Sequence, residues 1–211
     1  LAAHSGRLSC GAKSPLTGTI KEANAGGTAA QMMARIGCKA LIIEGQPRDD
    51  AWYGLQVTPD GITISQETEV VGKGTFAVVE TLTKRLGDKV GVITIGPAGE
   101  MKMSAANVSV KDPDCKIRSC GRGGLGAVMG SKKIKFIGLD AKDHKVEIAE
   151  PEKFREANKV FTKALIDHPV SQALGTYGTN VLVNIINEAG ALPTRNFTSG
   201  QFEGHEQISG E

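Results

Sequence analysis

Apolar residues recur along this chain at two spacings, and the changes from one to the other mark out the elements. Over residues 28–36, Ala29, Met32, Met33 and Ile36 fall at helical spacing, and Gly37 supplies a stop. Residues 39–43 read as a short buried strand. Residues 52–57 and 62–64 flank Thr58-Pro59-Asp60-Gly61, where proline presets one dihedral and glycine supplies a positive one, so a hairpin is predicted. Residues 76–86 are patterned as a helix ending at Gly87; residues 89–95 follow as a strand that runs into the glycine loop Gly96-Pro97-Ala98-Gly99-Glu100. Residues 101–114 read as extended, 119–130 as a glycine element with about two helical turns, and 132–139 as a strand. Pro151 opens a longer helix with Phe154, Ala157, Phe161, Ala164 and Leu165 on one face. A last helix carries Val181, Leu182, Ile185 and Ile186 and is stopped by Gly190 and Pro193, and the polar segment 195–211 reads as a mobile tail.

Within this pattern one phrase occurs twice. Gly26-Gly27-x-x-Ala30-x-Met32 and Gly123-Gly124-x-x-Ala127-x-Met129 share spacing, and each is followed by a basic residue and an apolar run. Strands mixed with peripheral helices, together with this duplication, predict an α+β fold of two similar intertwined halves, with two packed β-sheets. Paired glycines let backbone N–H groups approach a ligand or a helix start without side-chain interference, so each copy is a candidate anion-binding turn. The structural alternative is a tight turn that only packs a short helix on a sheet. The neighbours favour the anion: Asn24 precedes the first pair, and Arg118, Ser119 and Arg122 surround the second. Guanidinium groups fork onto phosphate oxygens, and amide or main-chain oxygens ligate hard cations such as magnesium.

Composition removes several function classes. With 211 residues, 40% of them hydrophobic, the chain can bury a core. Twenty-five basic against 23 acidic residues give a net charge of +2, and only 4% of residues are aromatic, which argues against nucleic acid as a partner. Cys10, Cys38, Cys115 and Cys120 form no C-x-x-C pair and no finger-like pattern with histidines; scattered thiols fit a reducing compartment, and the cytoplasm is expected. No apolar run has the length a bilayer requires, and the start Leu1-Ala2-Ala3-His4-Ser5, without an initiator methionine, reads as the beginning of a piece of a longer polypeptide. The four histidines, His4, His144, His168 and His205, sit in no recognisable acid–base arrangement.

Gly6-Arg7, Lys13-Ser14-Pro15-Leu16-Thr17-Gly18, Ala23-Asn24-Ala25-Gly26-Gly27, Ile95-Gly96-Pro97-Ala98-Gly99-Glu100, the run Gly121-Arg122-Gly123-Gly124 and its continuation to Lys132, and Val181-Leu182-Val183-Asn184-Ile185-Ile186-Asn187-Glu188 occur in order along nearly the whole chain. Together they resemble the N-terminal domain of the tungsten-containing aldehyde:ferredoxin oxidoreductase family. The resemblance implies a domain, residues 1–211 and incomplete at its start, that forms the base for two molybdopterin-type cofactors whose sulfurs hold one tungsten or molybdenum. It implies cofactor contacts at Arg7, Asn24, Gly26, Arg118, Ser119, Gly121 and Arg122. A magnesium ion bridging the pterin phosphates would be held by Asn24 and by the main-chain carbonyl of Ser119. It also implies aldehyde oxidation to a carboxylic acid, with electrons passing through a 4Fe-4S cluster to ferredoxin. No cluster-binding cysteine run exists in these 211 residues, so the cluster is expected outside this chain and the piece alone is expected to be inactive. Cys120 stands where the family more often has a small residue, and Ile117 where it has histidine before the arginine.

Two rival readings remain at the level of sequence. One is a non-catalytic domain or remnant that binds no cofactor. The other is a dinucleotide-binding module, since Gly121-x-Gly123-x-x-Gly126 has the three-glycine pattern and Asp140 lies at a ribose-contact distance. The spacing argues against the second, because six residues between Gly126 and Lys133 are too few for a crossover helix. A homo-oligomer is compatible with these patterns.

Overall fold

The computed structural model describes residues 2–210, and the chain divides into two units, Ala3–Glu147 and Ile148–Glu211. The fold is α+β, with two sheets and flanking helices. The first unit opens with the antiparallel hairpin β1 (Leu8–Lys13) and β2 (Ile20–Ala25), in which Leu8, Ala23 and Ala25 turn inward and Ser9, Glu22 and Asn24 face solvent. Helix α1 (Ala29–Ile36) ends on left-handed Gly37 (φ 82°), whose N–H returns to the Ala34 and Met33 carbonyls. Then come the hairpin β3 (Trp52–Thr58) and β4 (Gly61–Glu67), joined at the predicted turn, helix α2 (Thr75–Leu86), strand β5 (Gly91–Thr94) and the one-turn helix α3 (Pro97–Glu100). A third hairpin, β6 (Ser109–Lys111) and β7 (Ile117–Ser119), leads to α4 (Leu125–Ser131) and β8 (Ile134–Leu139).

The large sheet has the order β4-β3-β8-β5-β6-β7, with β3 and β8 parallel and its other pairs antiparallel. One face buries Leu55, Val57, Ile93, Val110, Ile137 and Leu139 against the β1–β2 hairpin, α1 and α4. The opposite face receives Val78, Val79 and Leu82 of α2 on Val92 and Phe136. Each such fully buried side chain contributes about 1.5–3 kcal/mol. Lys135 lies opposite no residue of β3, between the pairs Tyr53–Ile134 and Gly54–Phe136. This bulge changes the alternation of β8, so that Ile134 and Ile137 share a core while Phe136 enters the other. The Lys135 side chain, fully buried, ties the Lys73 and Ile95 carbonyls (3.0 and 2.8 Å) and the Glu100 carboxylate together.

Two sequence expectations need correction. Residues 39–43 form no strand, because no partner strand hydrogen-bonds to them among the described residues; Lys39, Ala40 and Ile42 are exposed, while Leu41 and Ile43 still touch the core. Residues 101–106 turn rather than extend, with Met103 N–H bonded to the Ala98 carbonyl and Ala106 N–H to Met103; only Ser109–Lys111 is a strand.

The second unit contains α5 (Pro151–Asp167), α6 (Pro169–Tyr177), a 3-10 turn at Gly178–Leu182 and α7 (Val183–Glu188). Within it the buried Asn187 accepts the Phe202 N–H at 2.7 Å, and Gly210 N–H bonds to the Asn180 carbonyl. Among the described residues no helix is long and apolar enough to cross a membrane.

Candidate functional site

The strand alternation of β2 decides the first glycine element. Ala23 and Ala25 are buried, so Asn24 between them faces out, and Arg7 donates a hydrogen bond to its Oδ1. After β2 the chain turns at Gly27, in the left-handed region at φ 99°; a Cβ there would lie 2.7 Å from the Lys111 carbonyl oxygen. That same oxygen accepts both the N–H and the hydroxyl of Thr28, each at 2.9 Å. The start of α1 is therefore docked on the end of β6.

The second element is presented by the β6–β7 hairpin. Its turn is built on Asp112, 2% exposed, whose Oδ1 accepts the N–H groups of Asp114 and Lys116 at 2.9 and 2.8 Å. Its Oδ2 accepts from Arg118, Nε at 3.0 Å and Nη2 at 2.9 Å. Burial alone pushes the Asp112 carboxyl up, but the backbone N–H donors and the Arg118 guanidinium outweigh it and hold the group below the usual carboxylate range. Arg118 remains solvent-facing, with two of its five donors committed. Ser119 Oγ accepts from Asn107 and from the Gly121 N–H at 3.0 Å, which turns the backbone at Gly121 (φ 81°). Arg122 stands exposed before the buried Gly123 and Gly124.

These buried glycines rest on the first hairpin. Ser14, 1% exposed, donates to the Gly123 carbonyl at 2.7 Å and accepts the N–H groups of Leu16 and Thr17. A Cβ on Gly123 would meet the Lys21 stem, and one on Gly124 the Pro15 ring. The anchoring is reciprocal: the first glycine element docks on the hairpin that leads into the second, and the second docks on the hairpin that leads into the first. Consistently, β2 lies against β7.

The structure thus brings Arg7 and Asn24 together, and Ser119 with Gly121, on hairpins that brace each other. Ser119 also lines a cavity of about 480 Å³ with Gly74, Thr75, Gly96 and Asn107, where α2 and α3 begin. Arg7 lines a different, mostly apolar cavity of about 640 Å³ between β1, α1 and α4. Gly26 and Gly121 have open space where a Cβ would point, so their backbones can be approached closely. The three-glycine run does not make a dinucleotide fold: β7 is an edge strand paired antiparallel with β6 and separated from β8 by two strands, so β7, α4 and β8 do not form a βαβ crossover between parallel neighbours.

Comparison with known sequences decides the family. The family described as aldehyde ferredoxin oxidoreductase, N-terminal domain, matches residues 1–141, and the one described as aldehyde ferredoxin oxidoreductase, domains 2 and 3, matches residues 156–211. This chain belongs to the aldehyde ferredoxin oxidoreductase family. It is similar to the tungsten-containing aldehyde ferredoxin oxidoreductase of Pyrococcus abyssi, 43% identical over 98% of this chain and 33% of that protein. A more distant relative is the aliphatic sulfonate oxidoreductase WOR-like subunit of Pyrococcus furiosus, 25% identical over 82% of this chain and 28% of its own length. Among solved structures, the active-site complex BamBC of benzoyl coenzyme A reductase, with 1,5-dienoyl-CoA, has a TM-score of 0.69 at 25% identity. It covers 78% of this chain and 24% of that one. The family member described here spans about a third of the length of its tungsten-containing relatives.

Sequence reasoning missed the residues that hold the site in place. Ser14 falls within the Lys13–Gly18 motif, where the sequence gives it no role, and Lys111 and Asp112 fall in residues 101–114, whose pattern reads only as extended. Asp112-Pro113-Asp114, a turn sequence six residues ahead of Arg118, was the available signal.

Proposed function

We propose that the Ala3–Glu147 unit grips the phosphates of a bis-pterin cofactor bearing tungsten or molybdenum, as part of an enzyme that oxidises aldehydes to carboxylic acids. The observation that carries this reading is the reciprocal anchoring of the two glycine elements, which sets Arg7, Asn24 and Gly26 on one hairpin and Arg118, Ser119, Gly121 and Arg122 on its neighbour. The residues fit such a group. Three exposed guanidiniums supply charge-assisted donors, and Gly26 and Gly121 leave their backbones open to a phosphate. Arg118, steadied by Asp112, meets phosphate with little loss of side-chain freedom. Asn24 Oδ1, which accepts from Arg7, keeps a second lone pair for a magnesium ion, and the Ser119 carbonyl would be its other protein ligand.

When bound, the centre supplies oxygen-atom transfer and accepts two electrons, which a 4Fe-4S cluster outside this chain would pass singly to ferredoxin. The side chains named here bind and orient; none transfers a proton. Aldehyde is preferred as substrate because the relatives at 36–43% identity carry that name, against 25% for the sulfonate oxidoreductase subunit.

The test is metal and pterin analysis of the purified protein by plasma mass spectrometry and by fluorescence of the oxidised, released pterin. Two pterins per tungsten or molybdenum are expected, with at least about a tenfold loss in an Arg118→Gln/Arg122→Gln variant that still folds, the equivalent of about 1.4 kcal/mol. Protein free of both metal and pterin would favour the non-catalytic remnant.

A further inference from the structure

Cys10 and Cys120 lie 110 positions apart in sequence, yet their Sγ atoms are 3.8 Å apart. Cys10 sits at an inward position of β1 and lines the 640 Å³ cavity. Cys120 follows β7 directly, is 3% exposed, and is held by a bond from its N–H to the Val108 carbonyl at 2.9 Å. Both are free thiols. A disulfide bond is about 2.05 Å long, so the gap to close, roughly 1.8 Å, is within the sweep of cysteine side-chain torsions. Two small side chains in a core need no chemistry to explain them. Here, however, the pair joins the two pieces whose mutual docking builds the candidate site: the β1–β2 hairpin and the loop that opens the second glycine element.

We propose that Cys10 and Cys120 are a redox-active pair that closes to a disulfide by exchange with a low-molecular-weight disulfide, stapling the first hairpin to the second glycine element. Cys10, as thiolate, attacks one sulfur of the small disulfide; the other sulfur leaves and takes up the proton as a free thiol. Cys120 then gives up its proton and attacks Cys10 Sγ in the mixed disulfide, expelling the second small thiol. Two protein thiols are oxidised and one disulfide is reduced to two thiols, so electrons and protons balance.

The order of attack follows from the surroundings. Cys10 is half-buried and lines the cavity, whereas Cys120 is 3% exposed and lies behind it. A small disulfide entering by that cavity therefore meets Cys10 first, and Cys120 is the thiol that resolves the mixed disulfide. The proposal is independent of the cofactor reading, because its readout is the state of the sulfurs.

The experiment equilibrates the intact purified protein with reduced and oxidised glutathione, alkylates the remaining thiols and maps the peptides by mass spectrometry without reduction. The expected result is a Cys10–Cys120 cross-linked peptide pair lighter by two hydrogens, reopened by dithiothreitol, with Cys38 and Cys115 alkylated. In Cys120→Ala, glutathione should accumulate on Cys10. Should that variant not fold, the peptide map of the unsubstituted protein decides alone. Full alkylation of Cys10 and Cys120 under oxidising conditions that modify Cys115, or a Cys10–Cys38 bridge instead, would overturn the proposal.

Discussion

Asp112 and Arg118, six residues apart across the β6–β7 turn, form a buried-carboxylate-to-exposed-guanidinium pair: the acid is sealed in by two backbone N–H groups, and the base faces solvent. The neighbouring Lys111 holds the first glycine element through its carbonyl and, through its buried ammonium, the Val90 carbonyl at 3.1 Å. Two consecutive residues thus carry the frame of both halves of the candidate site.

Truncating this carboxylate separates structure from binding. Asp112→Ala leaves two turn N–H groups and a guanidinium without their acceptor and is expected to cost about 2–3 kcal/mol, while Asp112→Asn, which keeps one acceptor oxygen, costs about 1 kcal/mol. Urea unfolding reads both numbers. On the cofactor reading, Asp112→Asn also lowers pterin retention although Arg118 is intact, and unchanged retention would remove Asp112 from the site.

Acid should loosen the first unit at two places. Burial pushes the Glu67 carboxyl up, but donation from Arg85 (2.7 Å) and the Val70 and Glu69 N–H groups brings it below its ordinary value, as at Asp112. For groups with depressed folded values, the stabilisation is complete above the unfolded values, about 3.9 for Asp and 4.3 for Glu, and is lost as pH falls through the lower folded values. Melting temperature is therefore expected to fall more steeply below about pH 4 than in a Glu67→Gln/Asp112→Asn variant. Parallel curves for the two proteins would contradict this.

Glycine substitutions should sort by the space around each residue rather than by its place in the glycine run. A Cβ on Gly130 would lie 1.9 Å from the Gly99 carbonyl oxygen, and one on Gly126 2.2 Å from that of Asn107, so alanine at either forces α4 away from its neighbours. Each is expected to cost about 1–3 kcal/mol or more. Gly121→Ala meets no atom and pays only for its left-handed backbone, about 1–2 kcal/mol. Its larger expected effect is on pterin retention, whereas Gly126→Ala and Gly130→Ala show first in thermal melts.

Ser14 is the clearest structural bolt between the halves. Ser14→Ala removes the donor to the Gly123 carbonyl and the acceptor for two N–H groups in a buried position, an expected loss of about 1–3 kcal/mol. Hydrogen exchange should speed up at residues 16–17 and, through the freed carbonyl, around residues 123–126. Faster exchange confined to the β1–β2 turn would show that the contact does not couple the elements.

The chain's periodicity determined most helices and strands directly, because an amphipathic stripe or a Pro-Asp-Gly turn is a local property: α1, α2, the β3–β4 hairpin and α4 all lie where their patterns put them. The repeated glycine phrase marked both elements of the candidate site, since only glycine tolerates the left-handed backbone and close approach seen at Gly27 and Gly124. What tertiary structure alone decided is pairing. Residues 39–43 have the composition of a strand, but a strand exists only where another supplies its hydrogen bonds, and none does so among the described residues. The bulge that buries Lys135, the reach of Ser14 to Gly123 and the meeting of Cys10 with Cys120 depend on contacts 35 to 110 positions apart, which no local window contains.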